Sequence, residues 1–183
     1  MNWNRIFLTT IGIVLMAVSV TFSQGTPKAT SSPSQPNAPK QLPAGLEEFF
    51  VGEWTGAGEL SNGRNIEADV SFAADLDNQW LNYSHNDRAP NKYKARGMWG
   101  FERNSGRFVM LLNDNFGGAR LFVSDGWLDG RIVFNSEKLL VLSSVQERFT
   151  FARESATTFR MTYEISRDGK TWRIGDYLIF RRK

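Results

Sequence analysis

The chain has no cysteine, a single histidine, and six prolines among 183 residues, all but one of them before Ala44. Without cysteine there are no disulfides, thiolate zinc sites, iron–sulfur clusters or cysteine nucleophile, and no lipid-modified cysteine to hold an exported chain at a membrane. One histidine, His85, offers no ligand spacing, and carboxylates such as Asp75 and Asp77 sit where turn chemistry accounts for them, so no metal site is expected. No G-x-S-x-G string is present, which leaves a Ser–His–acid triad without a nucleophile on a constrained turn. An excess of one charge is also missing. Against 19 acidic residues stand 22 basic ones, a net +3, which reads as a mixed solvated surface and predicts no nucleic-acid partner.

What is present starts with a leader. Asn2, Trp3, Asn4 and Arg5 precede an uncharged, mostly apolar run from Ile6 to Phe22, the pattern of an export signal. Residues 1–23 are read as a signal peptide, with cleavage after Ser23 or after Ser19. The expected destination is the periplasm or the exterior. The run is at the short end for a membrane span, so an uncleaved anchor is the secondary reading, and no stable insertion is expected once the signal is removed. Residues 24–43, rich in Pro, Ser, Thr, Gln and Asn, cannot bury enough apolar surface to offset chain entropy and read as a disordered linker.

The domain is expected over 44–183. Ala44, Leu46, Glu47, Glu48 and Phe49 after Pro43 predict a short helix with acids near its N-terminus, ended by Gly52. Glu47 and Glu48 are adjacent and point about 100° apart on a helix, so they are no acid–base pair. Beyond Trp54 the period becomes two. Ile66, Ala68, Val70 and Phe72 alternate with Glu67, Asp69 and Ser71. Asn62-Gly63, Asp129-Gly130 and Asp168-Gly169 read as tight hairpins, and turns fall around Asp75 to Asn78, Pro90-Asn91, Asn104 to Gly106 and Gly117-Gly118. The run RFVMLLND is apolar on both faces, which suggests cover on both. The stretch Lys138 to Ser144 has no clear pattern. About ten strands with short connections and no long amphipathic helix predict an all-β fold: an antiparallel up-and-down meander closed into a barrel, since closure removes the two long edges. Val145, Phe149 and Phe151, then Phe159, Met161, Tyr163 and Ile165, then Trp172, Ile174, Leu178 and Phe180 are expected inside. A barrel of that strand number leaves room for a cavity.

Gly52-Glu53-Trp54, after a helical turn and at the head of a meander, resembles the G-x-W opening of the calycin group, which includes lipocalins and fatty-acid-binding proteins. The longer GEWTGAGEL is similar to the G-x-W-x-G-x-G run of nitrobindin-like barrels. The central GMWGFERNSGRFVMLLNDNFGGARLFVSDGWLDGRI resembles bacterial secreted lipocalin-like domains, and the likeness runs from about Leu46 to the end. It implies a small-molecule-binding barrel whose base is closed by Trp54, with a basic residue of the last strand, Arg181 or Arg182, lying across the indole. Nitrobindins hold haem through a histidine late in the chain. Here His85 stands on an early strand, so no haem or other cofactor is expected.

Candidate cavity residues come from the alternation. Leu81, Tyr83 and His85 share a face, and His85 is either a ligand donor or base at the cavity wall or, the preferred reading, a half-exposed strand residue near a turn. Tyr93, Ala95, Gly97, Trp99 and Phe101 share another face, where small residues beside Trp99 leave space for a ligand or simply pack. Phe151 and Tyr163 line the same interior. Asp176 alternates with Leu178 and Phe180 and so faces inward, needing a partner among Arg96, Arg120, Arg148 and Arg160, unless a bulge at Gly175 turns it out. The function expected is an exported barrel binding a small, mostly apolar or amphipathic molecule. The alternative is a non-catalytic interaction module using its loops, among them NDNFGGAR. No residue set demands an enzyme.

Overall fold

The computed structural model describes residues 41–137 and 145–183, all within the unit Ala38–Lys183. The leader, the linker up to residue 40 and the stretch Lys138 to Ser144 lie outside the described residues. No helix among the described residues is long and apolar enough to cross a membrane.

The domain opens with α1 (Ala44–Phe50), whose first turn hangs on the Pro43 carbonyl, which accepts from the Leu46 and Glu47 amides at 2.9 and 3.1 Å. Leu46, Phe49 and Phe50, at i, i+3 and i+4, make one buried stripe. Leu42 is already in the core. Gly52 then turns the chain out of the helix at φ +130°, and a Cβ there would lie 2.8 Å from the Arg182 guanidinium, so both conformation and space call for glycine.

Ten strands follow: β1 (Gly52–Leu60), β2 (Asn65–Asp75), β3 (Trp80–Asp87), β4 (Lys94–Phe101), β5 (Phe108–Asp114), β6 (Ala119–Ser124), β7 (Arg131–Ser136), β8 (Gln146–Arg153), β9 (Thr158–Ser166) and β10 (Arg173–Arg182). Each pairs antiparallel with the next, and β1 pairs with β10 from Trp54↔Arg182 to Leu60↔Asp176, so the sheet is a closed barrel with no free edge. That register also sets the two ends. Trp54 and Arg182 mark the end beside α1; Leu60 and Asp176 mark the other. Between them, the inner residues Phe72, Trp99, Phe108, Phe134, Phe151, Phe159 and Phe180 are fully or almost fully buried.

Several local details depart from simple alternation. Asp129-Gly130, with φ +50° and +74°, is a two-residue hairpin, closed by reciprocal Leu128 and Arg131 backbone bonds of 2.9 Å. Asn62-Gly63 is not. There the Gly63 amide donates to Leu60 and the Leu60 amide to Arg64, so the loop has one more residue, with Gly63 left-handed at φ +78°. Asp168-Gly169 sits in a longer connection, in which Asp168 Oδ1 accepts from the Lys170 and Thr171 amides at 2.8 and 2.7 Å.

In β10 the pairing with β9 slips between Ile174 and Asp176, so Gly175 is a bulge. It turns the residues before it to the outer face. Ile174 is 54% exposed, and Trp172 lies outside beneath the Arg148 guanidinium at 4.1 Å, which corrects the inward placement of both. The double cover expected for β5 is also incomplete: Val109 is buried but Leu111 is 40% exposed.

Candidate functional site

The barrel interior divides along its axis. At the α1 end Trp54 donates from Nε1 to the Phe50 carbonyl at 2.9 Å and packs edge-on against Phe159 at 4.9 Å between ring centres. The Arg182 guanidinium stands 4.3 Å over the indole and donates to the Val51 carbonyl at 2.8 Å and to the Phe49 carbonyl, so one cation meets a π face and two carbonyls at the C-terminal end of α1. Arg181, its neighbour in sequence, is exposed.

Trp99 belongs to this filled region. Its ring meets Phe50, Phe134 and Phe151 at 5.5, 4.9 and 4.7 Å, and it lies below the cavity rather than on its wall. Of the two readings for the small residues beside it, Gly97 follows packing: a Cβ there would meet the Leu111 carbonyl and the Leu112 and Tyr83 side chains, so no space opens at that position.

Toward the opposite end a cavity of about 330 Å³ remains, at the lower end of the range for ligand pockets. Its deeper wall is apolar: Ile66, Ala95, Met110, Leu112, Phe151, Met161 and Leu178. Its upper wall is polar. Tyr83, His85, Tyr163 and Asp176 belong to it, and with Phe151 of the deeper wall five of the six predicted cavity residues line the cavity.

His85 is only 4% exposed, which corrects its preferred reading as a half-exposed strand residue. Its ring bridges Tyr83 Oη at 2.9 Å (Nδ1) and Asp87 Oδ1 at 2.8 Å (Nε2). All three groups are satisfied when the Tyr83 hydroxyl donates to Nδ1 and Nε2–H donates to Asp87. Burial pushes the Tyr83 hydroxyl well above its ordinary pKa, so it stays a donor. With both ring nitrogens engaged, and no other histidine in the chain, these residues do not fit a histidine-ligated haem. Among the described residues no three His, Asp or Glu side chains gather as a metal ion would require.

A second network holds Arg120. It donates to Glu147 Oε1 at 2.7 Å, to Asp114 Oδ2 at 2.8 Å and to the Tyr93 hydroxyl at 3.0 Å, and Tyr163 donates to the same Glu147 oxygen at 2.7 Å. Burial works against the guanidinium charge, but Tyr93, Glu147 and Asp114 outweigh it and raise its pKa. Burial, then Glu147, likewise raises the Tyr163 hydroxyl.

Asp176 stands apart from both networks. It pairs with Tyr163 across the β9–β10 register and so points inward, the Gly175 bulge having turned out Ile174 instead. None of the four expected arginines reaches it. Arg96 donates to Asn86 and nearby carbonyls, Arg148 to Glu164, Arg160 to Glu154, and Arg120 is held as described. Its Oδ1 is buried without a hydrogen-bond partner. Burial, followed by the Asp87 charge, pushes the carboxyl from 3.8 up to about 7.

Asp87, Asp114 and Glu147 were not anticipated, although each lies on an alternation already drawn. Asp87 continues Leu81, Tyr83 and His85, and Glu147 falls between Val145 and Phe149.

The architecture is that of a closed ten-stranded antiparallel barrel with an internal cavity at one end. No protein-family model matches the sequence, and no curated protein matches it. Among solved structures the chain is similar to the crystal structure of Rv2717c from M. tuberculosis, with a TM-score of 0.53 and 16% identity over 78% of this chain and 99% of that one. At that identity the likeness is one of fold.

Proposed function

We propose that this is an exported, lipocalin-like carrier or sensor that holds a small, mostly apolar molecule with a polar end inside the barrel. The observation that carries the reading is the cavity itself. A barrel interior can be filled by side chains, yet here the aromatic packing stops partway and leaves about 330 Å³ between an apolar lower wall and a polar upper one. Such a space suits an apolar body in the lower part and a polar group above. Export is supported by the uncharged run from Ile6 to Phe22, and the lipocalin-like kinship by the Gly52-Glu53-Trp54 opening.

Native mass spectrometry of the protein purified from its own source tests the proposal. A mass excess that disappears on mild organic extraction and returns on adding the extract back is the expected result. An unliganded protein that also takes up nothing from the extract would overturn it.

A second reading, a docking platform built on loops, has one observation in its favour: Phe116, on the β5–β6 turn, is 74% exposed. The same ring also lines the cavity and lies 6.2 Å from that of Tyr93, which accounts for it as part of the cavity wall.

A further inference from the structure

We propose that the polar end of the cavity selects a cation: the ligand is an amphiphile whose ammonium group docks between the Asp176 and Asp87 carboxyls. This rests on the carrier reading and adds the charge of the occupant. Three observations carry it.

The first is charge count. Asp87, Asp114 and Asp176 line the cavity and Glu147 stands behind Arg120 and Tyr163, while Arg120 is the only lysine or arginine in the described lining. An anionic head group would enter a region where carboxyls already outnumber guanidinium groups.

The second is availability. The obvious receptor for a ligand carboxylate, Arg120, is occupied: Nη1 is held by Glu147, and Nη2 by Asp114 and Tyr93. Its Nε and Asp176 Oδ1 are alike in being buried without a partner. The two groups differ in charge balance: the guanidinium already meets the Asp114 and Glu147 carboxylates, whereas no cation reaches the Asp176 carboxyl facing the cavity. A buried carboxyl beside a second one is expensive unless a donor or positive charge joins it. An ammonium supplies three donors and a charge.

The third is the wall. Tyr83, Tyr93, Phe116, Phe149, Phe151 and Tyr163 ring the space, and aromatic faces attract a desolvated ammonium in addition to packing against an alkyl body.

A pH signature follows. Burial and the Asp87 charge hold Asp176 at about 7, so the ionised form that receives the cation is gained as pH rises through neutrality. The other titratable or charged groups facing it or its neighbours are Tyr83, His85 and Asp87 on β3, Tyr93, Asp114, Arg120, Glu147 and Tyr163.

The test is a calorimetric titration of the whole protein with three probes of one chain length: n-octylammonium, 1-octanol and octanoate. At pH 8 the ammonium should bind at least about tenfold more tightly than the alcohol, a margin that one desolvated charge-assisted contact supplies, and octanoate should bind more weakly still. The ammonium preference should shrink between pH 8 and pH 6. In Asp176→Asn the ammonium should fall to the affinity of the alcohol while the alcohol is unchanged. Equal affinities, or a preference for octanoate, would overturn the charge assignment and leave the carrier reading intact. Binding of none of the three would remove both. The comparison within the unmodified protein decides the matter even if the variant fails to fold.

Discussion

The Asp176 carboxyl is the residue whose placement is hardest to justify by stability alone. The folded protein holds it at about 7, against an ordinary 3.8. Between those values the native state binds a proton that the unfolded chain has released, so stability falls as pH rises through that window and levels off above it. The difference amounts to about 4 kcal/mol at most, from roughly 1.36 kcal/mol per unit. Asp176→Asn should therefore stabilise the protein by roughly 2–4 kcal/mol near pH 8 and by almost nothing near pH 4, read from urea unfolding at the two values. A gain that does not change with pH would show that the carboxyl is solvated. Such a penalty left in place is typical of a group kept for use. At this scale the sequence was half informative. Period two put Tyr83 and His85 on one face and Tyr163 and Asp176 inside, because side-chain direction is local, but it left His85 half-exposed and Asp176 open to being turned out by a bulge. It could not show which arginine meets which acid: Arg120 on β6 and Glu147 on β8 meet across the inner face with β7 between them, not from neighbouring positions.

Among the elements, α1 and the end of β10 depend on each other. Arg182 caps carbonyls at the helix end and covers the Trp54 ring, while Arg181 faces solvent. Arg182→Ala should cost roughly 1–3 kcal/mol, combining lost charge-assisted bonds with a lost cation–π contact. Arg181→Ala should stay within about 0.5 kcal/mol. Thermal melts of the two variants side by side check this, and equal losses would contradict the division of roles. The strands and most turns could be read beforehand from Gly and Asn or Asp signals, since positive φ has few residue types to serve it. A bulge at Gly175 was one of two readings the sequence allowed, but its effect was not legible: which residues it turns outward appears only when the partner strand is in view, so Trp172 and Ile174 were assigned to the wrong face.

For the whole molecule, the decisive pairing is the one most distant in sequence. β1 and β10 come from opposite ends of the domain, and their register from Trp54↔Arg182 to Leu60↔Asp176 turns a meander into a barrel. Truncation before Leu178 should remove most of that seam and bare most of the β1 edge and the Thr158–Met161 part of β9, giving loss of cooperative unfolding and aggregation by size-exclusion chromatography and near-ultraviolet circular dichroism. A monomeric, cooperatively melting product would mean that closure is dispensable. Fold class was the most legible level because an up-and-down meander with regular turns has few ways to hide its edges.

The packed base has a kinetic corollary. Trp54, Arg182 and α1 make the interior a cul-de-sac, with no passage out past the indole. Whatever enters must back out by the way it came, over the same barrier. Bulk added along that approach, clear of the bound molecule, will then slow arrival and departure by the same factor and leave the equilibrium occupancy where it was.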